Sequence, residues 1–225
     1  DNFLAFVDED TKRGLSTIKV ASFCGKLLVG KSHIWAFPNV ILDKNGRKLE
    51  HRPVYVSVDF LQRRCNGDLI PLPASMPCPH PLRQTSTSLA VLSRCMRNYY
   101  GPRFPQAVHL LTSVLKAIHF DTLLEHEHFV SIANISGPAN VGKSFACAIA
   151  LSMFDASGLM LSRCTPSAMI DAAFVFKNML IVWDDPRDCS HSQLSSIVHE
   201  AFHGHATTTV SRGVRRYNSS LIIGT

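Results

Sequence analysis

The sequence has no pattern that would cross-link the chain through disulfides or zinc. Its seven cysteines are an odd number, and no two of them are spaced as Cys-x-x-Cys. This excludes the common zinc-binding spacings and gives no support to a disulfide framework. We therefore expect reduced thiols and an intracellular protein, in either the cytoplasm or the nucleus.

Long apolar runs are also missing. No stretch approaches the roughly 20 apolar residues that a membrane-spanning helix requires, and the chain does not begin with a secretory signal peptide. We therefore expect no membrane partner. Because Asp1 is not an initiator methionine and Thr225 ends an apolar run, we also expect the chain to be a piece of a longer protein.

Charged residues are scarce, at 18% of the chain, yet basic ones prevail, with a net charge of +6 and a pI of about 9.1. This balance permits a polyanionic partner without requiring one. The 225 residues, 46% of them hydrophobic, are enough for one large domain, alone or with a smaller one.

A glycine- and lysine-containing segment stands between an apolar run and an alanine-rich stretch. The run 129–135 is typical of a buried strand, and residues 145–154 have a helical period. The segment between them matches the phosphate-binding loop pattern Gly-x-x-x-x-Gly-Lys-Ser/Thr. By chance this pattern arises on the order of once per hundred chains of this length. The predicted strand before it and helix after it favour a phosphate-binding loop over a chance match. Its members are Gly137, Pro138, Ala139, Asn140, Val141, Gly142, Lys143 and Ser144.

The residue types of this segment suit a nucleoside triphosphate. Gly137 and Gly142 lack a Cβ, so the backbone can curl around an anion and aim its N–H groups inward. The positive end of the following helix dipole adds attraction. Lys143 would reach the β- and γ-phosphates, and the Ser144 hydroxyl would bind Mg²⁺. ATP and Mg²⁺ are therefore the expected cofactors.

A second apolar run, residues 178–183, ends in Asp184 and Asp185. A continuous run of this kind is typical of a central parallel strand, whose carboxyl end would lie beside the phosphate loop. Asp184 is then expected to hold Mg²⁺ through water, as a Walker B carboxylate, and Asp185 to act as the general base on the attacking water. The alternative interpretation is an Asp-Asp-Pro turn after a core strand.

Composition and period divide the chain into four regions. We expect a β-rich region over 1–70, a proline-rich linker over 71–85, a helical layer over 86–128 and a P-loop ATPase core over 129–225. Strands and helices alternate in the last region, which predicts an α/β fold with a doubly wound parallel sheet.

Two local predictions concern helices. In the helical layer, Leu111, Val114, Leu115 and Ile118 form a stripe at helical spacing that we expect to face the core. After the phosphate loop, Gly158 is expected to end the helix in a left-handed cap.

The end of the chain predicts a β-hairpin and a last core strand. Residues 204–210 and 214–217 are the two arms, with Arg212, Arg215 and Arg216 at or near the tip. The last strand ends at Thr225, which would contact the γ-phosphate or orient water. The alternative interpretation of the arginines is an ordinary solvated face.

From about Ile132 to Thr225 the chain resembles superfamily-three helicases, the AAA+-related hexameric replicative motors of small DNA viruses and plasmids. The likeness is carried by the loop form Gly-Pro-x-Asn-x-Gly-Lys-Ser, by Asp184-Asp185 after an apolar strand, by the basic hairpin that Gly204 begins, and by the strand that follows it.

The resemblance implies a ring, most commonly a hexamer, that hydrolyses ATP at subunit interfaces and moves single-stranded DNA. It also implies that Arg212, Arg215 or Arg216 grips the DNA backbone. Thr225 would stand at the position called sensor 1, and an arginine finger would come from a neighbouring subunit.

Two classes of function are compatible with the sequence. The first, which the basic hairpin and paired acids favour, is an ATP-driven helicase or translocase subunit. The second is a nucleotide-binding switch or remodeller without helicase activity, and a decayed element that binds nucleotide without turnover is a variant of it. No stretch looks like the lid that a small-molecule kinase would need.

Overall fold

The computed structural model describes residues 3–6, 18–21, 23–51, 53–57, 61, 77, 79, 86–162, 164–186, 189–204, 206–209, 213–217 and 219–224. Over these residues the protein has an α/β fold with one parallel and one mixed four-stranded sheet, which confirms the predicted α/β class. The proline-rich segment 71–85 lies outside the described residues except at Pro77 and Pro79.

The described strands and helices are as follows. The strands are β1 (Phe3–Phe6), β2 (Ile18–Ala21), β3 (Cys24–Val29), β4 (Ser32–Ala36), β5 (Ile41–Asp43), β6 (Ala133–Ile135), β7 (Met160–Ser162), β8 (Phe176–Lys177), β9 (Leu180–Asp184), β10 (Ala206–Thr209), β11 (Gly213–Arg216) and β12 (Ser220–Gly224). The α-helices are α1 (Ser86–Tyr100), α2 (Phe104–Ile118), α3 (Phe120–Glu127), α4 (Lys143–Ser152), α5 (Pro166–Val175) and α6 (His191–His203).

The parallel sheet has the strand order β6, β12, β9, β7. Its middle strands are mostly apolar and buried: Ile181, Val182 and Trp183 of β9 have no exposed surface, and β12 is buried along its length. Burial on both faces is what a parallel sheet covered by helices requires. The predicted run 178–183 therefore lies at the centre of the sheet. The run 129–135, predicted as a buried strand, instead forms only the short edge strand β6, and Phe129 and Asn134 within it are exposed.

Helices cover this sheet. Helix α2 contacts α4, β9 and β12, while α4 contacts β7 and β9. Helix α5 contacts α6 and β9. Side chains cap the starts of two helices: the Thr165 side chain accepts from the Ala168 N–H at 3.3 Å, and Ser190 forms a capping box with Gln193.

The orientation predicted for α2 was partly wrong. Leu115 is 57% exposed, whereas Ala107, Leu110, Ser113, Val114 and Ala117 are buried. The other three members of the stripe do pack on the core: Val114 is buried, and Leu111 and Ile118 are partly buried against it. The stripe therefore identified the helix and most of its buried side, and only Leu115 was misplaced.

The end of α4 also differs from its prediction. The helix ends at Ser152, and Asp155, with φ of 49°, takes the left-handed conformation expected of a glycine cap. The Ala156 N–H then donates to the Leu151 carbonyl at 3.1 Å. Gly158 lies beyond this turn, in a 3-10 helix over Ser157–Leu159. An aspartate can replace glycine here because its short polar side chain tolerates this region.

The β-rich region shares a sheet with the C-terminal half of the chain. The mixed sheet has the order β5, β4, β3, β8, and β3 pairs with β8 in parallel at Cys24–Phe176 and Gly25–Lys177. A Cβ on Gly25 would lie 2.0 Å from the Lys177 carbonyl oxygen. Only glycine allows the two backbones to come this close.

A polar cluster joins the same regions near this sheet. The Lys26 ammonium of β3 pairs with the Asp121 carboxylate of α3 at 2.9 Å. Asn178, which is fully buried between β8 and β9, donates to the same carboxylate oxygen at 2.9 Å and to the Ile118 carbonyl at 3.1 Å. Three separate segments therefore meet at one carboxylate.

Electrostatics at Asp121 favour its charged form. Burial by itself would raise the pKa of this carboxyl, but the hydrogen bonds from Lys26 and Asn178 and the charge of Lys26 outweigh burial, so its pKa lies below the usual value. A lowered folded-state pKa contributes stability at neutral pH, which is lost as pH falls through that pKa.

In the described part of the chain, no single helix has both the length and the apolar character to cross a membrane. One pair of helical segments, Ser88–Ile118 and Phe120–Glu127, bent by 81°, meets the criterion by length and composition only.

Replacement of Asp121 by alanine tests this cluster. We expect Asp121→Ala to lower the free energy of unfolding by about 1–3 kcal/mol at pH 7, because the partly buried Lys26 and Asn178 lose their shared acceptor. The measurement is urea unfolding, with Glu125→Ala, an exposed acid on the same helix, as the matched control. The difference between parent and variant should shrink as pH falls from about 4, the ordinary aspartate pKa, through the lower pKa of the folded Asp121 carboxyl; equal stability at pH 7 would contradict the assignment.

Candidate functional site

The loop 136–142 between β6 and α4 has the backbone that its glycines predict. Three of its residues have positive φ: Gly137 at 148°, Asn140 at 60° and Gly142 at 88°. Glycine adopts these values without strain, and asparagine is among the few other residues that tolerate the left-handed region. The loop therefore curls back on itself before α4 begins at Lys143.

The Lys143 side chain folds back over this loop. Its ammonium group donates to the carbonyl oxygens of Gly137 and, at 3.0 Å, of Pro138. The side chain thus braces the start of the loop against its end. A positive charge is held at the mouth of the loop, where the N-terminus of α4 also favours an anion.

Ser144 and Asp184 are adjacent although 40 positions separate them. The Ser144 hydroxyl donates to Oδ2 of Asp184, with the two oxygens 3.4 Å apart. The strand register explains this contact: Ile135, Gly224 and Asp184 form one row across β6, β12 and β9. The loop leaves β6 directly after this row, so its helix begins beside the Asp184 carboxylate.

Asp185 follows at the same end of the sheet. Its backbone is left-handed, with φ of 57°, and its N–H donates to the Gly224 carbonyl at 2.9 Å. This bond ties the end of β9 to the end of β12. Asp184 and Asp185 are both half-buried, so the structure brings the predicted acids and the predicted loop together at one edge of the sheet.

Gly224 is a site residue that sequence reasoning did not single out. A Cβ at this position would lie 2.9 Å from Oδ1 of Asp184, so glycine leaves the space that the carboxylate occupies. A glycine inside a strand is a known sign of close approach by another group. That sign was present in the sequence, but the identity of the approaching group was not.

Tyr100 is the second residue that was missed. Its hydroxyl donates to the Gly142 carbonyl at 3.2 Å, and its ring lies 3.1 Å from the position that a Cβ on Gly142 would take. Burial raises the pKa of the Tyr100 phenol, so the hydroxyl stays protonated and able to donate at neutral pH. The end of α1 thereby supports the phosphate loop.

A cleft of about 740 Å³ adjoins the loop on the side of α2 and β6. This volume is in the range of small-molecule sites. Its lining includes polar side chains of α2 and β6, Gln106, His109 and Asn134, together with the loop residues Gly137 and Lys143.

The chemistry of the site suits magnesium that arrives with a phosphate ligand. Among the described residues, no group of three or more His, Cys, Asp or Glu side chains could hold a metal. Ser144 and Asp184 supply one hydroxyl and one carboxylate, which are oxygen ligands of the type Mg²⁺ prefers when substrate phosphates complete its shell.

The hairpin is present as backbone, and its arginines are only partly placed. Strands β10 and β11 pair antiparallel, with Thr207 opposite Arg215 and Ala206 opposite Arg216. Strand β11 contacts α5. Arg212 and Thr225 lie outside the described residues, and the structure describes Arg215 and Arg216 by their backbone alone.

Comparison with protein-family models, with curated proteins and with solved structures finds no match for this chain. The resemblance to superfamily-three helicases therefore stays a prediction, and the geometry of the chain itself carries the functional proposal.

Replacement of Gly224 by alanine tests the packing of Asp184. We expect Gly224→Ala to weaken binding of MgATP about tenfold, the effect typical of displacing groups that orient a metal ligand, because the new methyl group pushes the Asp184 carboxylate aside. Affinity for ATP in EDTA should be unchanged. The measurement is titration calorimetry, with Ser32→Ala, at an exposed position of strand β4, as the control. Unchanged MgATP affinity would show that the position of the Asp184 carboxylate does not depend on the absence of a Cβ at residue 224.

Proposed function

We propose that the chain is a Mg²⁺-dependent ATPase of the P-loop class that serves as a helicase or translocase subunit on single-stranded DNA. The observation that carries the proposal is the contact between Ser144, at the start of α4, and Asp184, at the end of β9. A phosphate loop and an acidic strand end are here part of one site, as nucleotide hydrolysis requires.

The topology supports a doubly wound P-loop core. From β6 the chain crosses to β7 at the far edge of the sheet and then returns through β9 to β12, next to β6. Because such crossovers are almost always right-handed, this reversal places α4 on one face and α5 and α6 on the other. The contacts of α2 with α4 and of α5 with α6 agree with this division. Ligands bind such sheets at the carboxyl ends of the strands, near the reversal.

The predicted site residues have distinct proposed parts in hydrolysis. The backbone N–H groups of the loop and the N-terminus of α4 would bind the phosphates, and the Lys143 ammonium would turn from the loop carbonyls to neutralise the β- and γ-phosphates. Ser144 and Asp184 would hold the magnesium ion, which when bound stabilises charge on the phosphate oxygens. Asp185 orients and deprotonates the attacking water. Thr225 is proposed to contact the γ-phosphate.

The DNA-binding part of the proposal depends on the hairpin and on net charge. Arg212, Arg215 and Arg216 would contact phosphates of the strand without reading its sequence. The net charge of +6 favours such a partner. We propose that copies assemble into a ring, a hexamer by resemblance, with an arginine finger from the neighbouring subunit and with function inside the cell.

The second candidate is a nucleotide-binding remodeller or switch without helicase activity. The contact between β11 and α5 favours it, because a hairpin strand held on the body of the protein can act as a structural element. In that case its arginines need not contact nucleic acid, and nucleotide turnover would be independent of DNA.

Two variants test the ATPase. We expect Lys143→Ala to abolish ATP hydrolysis and to weaken ATP binding, because the loop loses both its brace and its charge, whereas Lys44→Ala, in an exposed turn, should change neither. Asp185→Asn should keep ATP binding and lose at least about a hundredfold in turnover, the lower range for loss of a general base. The measurements are phosphate release and nucleotide titration. Unchanged turnover in Lys143→Ala would refute the phosphate-loop assignment.

A triple variant tests whether DNA binding depends on the hairpin arginines or only on the overall positive charge of the protein. Replacing Arg212, Arg215 and Arg216 by alanine should weaken binding of an oligo-dT strand and reduce its salt slope by about 2, at roughly 0.7 for each DNA phosphate that an arginine no longer neutralises. The matched control removes three exposed basic residues of the β-rich region, Lys44, Arg47 and Lys48. If both triple variants lose affinity equally, charge alone accounts for binding. In either case, stimulation of ATP hydrolysis by DNA would indicate a helicase or translocase. Turnover that does not depend on DNA would indicate a remodeller or switch.

A further inference from the structure

We propose that Tyr99 and Phe145 form the surface on which the nucleobase of the bound nucleotide stacks. This inference rests on the proposed nucleotide-binding function and adds to it the part of the ligand that the phosphate loop does not hold. It is based on the exposure, contact and position of these two rings.

Both rings are exposed and touch each other. Tyr99 is 64% exposed and Phe145 is 51% exposed. Their ring centroids are 5.1 Å apart with an angle of 57° between the planes. Two large aromatic side chains in contact at the surface form an apolar patch with no protein cover over much of its area, and flat π faces of this kind are what a nucleobase stacks on.

The pair stands directly beside the phosphate loop. Phe145 follows Ser144 in the first turn of α4, and Tyr99 lies 3.5 Å from the position that a Cβ on Gly142 would take. Phe145 is thus next in sequence to a residue assigned to the magnesium ion, and Tyr99 lies against the last residue of the loop.

The orientation of a triphosphate on the loop determines the side on which its nucleoside lies, and that side is the one with Tyr99 and Phe145. The Ser144–Asp184 contact marks the magnesium and γ-phosphate end of the site. The nucleoside is joined to the opposite end of the triphosphate, so it must leave the loop away from Asp184. One residue along a helix turns the side chain by roughly 100°, which carries Phe145 away from the side on which Ser144 meets Asp184.

The pair is held in place by the same residue that supports the loop. The Tyr100 ring packs edge-on against Tyr99, with centroids 4.9 Å apart and planes at 81°, and its hydroxyl is bonded to the Gly142 carbonyl. The stacking surface and the phosphate loop are therefore joined through Tyr100. A surface fixed in this way loses little conformational entropy when a base binds.

The cleft on the other side of Tyr100 is the competing location for the base. It is concave and contains the side-chain amides of Gln106 and Asn134, which could form hydrogen bonds with a base edge. The stacking pair offers aromatic faces instead, and it adjoins the start of α4 on the side away from the metal end. The two locations make different predictions for single substitutions.

The experiment compares ATP with tripolyphosphate, which has the phosphates but no base, by calorimetry with Mg²⁺ on the full chain. We expect Phe145→Ala and Tyr99→Ala each to weaken ATP binding about tenfold, as removal of a base-stacking ring typically does, and to leave tripolyphosphate affinity unchanged. Phe145→Trp should preserve ATP affinity, because it keeps an aromatic face. Tyr55→Ala, an exposed tyrosine in the β-rich region at 47% exposure, is the control and should change neither affinity.

Three outcomes would overturn the inference. ATP affinity could be unchanged in both alanine variants, or ATP and tripolyphosphate could weaken together, which would mean that the rings only shape the loop. Alternatively, Gln106→Ala could weaken ATP alone while the aromatic variants do not, which would place the base in the cleft. Failure of the proposed function gives a different result: tripolyphosphate affinity would then be unaffected by Lys143→Ala.

Discussion

The site depends on the parallel register of β6, β12 and β9. This register aligns Ile135, Gly224 and Asp184 in one row, and it is the reason why a helix that begins eight residues after β6 meets a carboxylate at the end of another strand. The Ser144–Asp184 contact, the Asp185–Gly224 hydrogen bond and the space above Gly224 all follow from this row. A shift of one residue in β12 would remove all three, because alternate residues of a strand point to opposite faces.

The rest of the molecule supports that row from two sides. On one side, α1 and α2 precede the core in sequence, and Tyr100 at the end of α1 bonds to the Gly142 carbonyl. On the other, the β-rich region joins the core through the β3–β8 pairing and through the cluster of Lys26, Asp121 and Asn178. Segments that look like separate regions in sequence therefore pack into one hydrophobic core with the parallel sheet.

Much of the candidate site could be predicted because its signals are local. The loop pattern needs only eight consecutive residues, and the caps at Thr165 and Ser190 need four each, so spacing alone identifies them. Leu115 shows the limit of such signals. The helical period of the stripe was correct, but Leu115 is exposed while Ala107, Ser113 and Ala117 are buried, and the choice of buried face depends on packing partners that local sequence does not specify.

The sequence by itself determined which groups stand at the end of the strands: a glycine-containing loop followed by one lysine and one serine, and two tandem acids after an apolar run. Only the tertiary structure decided that these groups meet, because β12 inserts between β6 and β9. It also decided which aromatic residues lie beside the loop. Tyr100 and Gly142 are 42 positions apart, and a contact over that distance is selected by packing of the whole core rather than by the propensity of either segment.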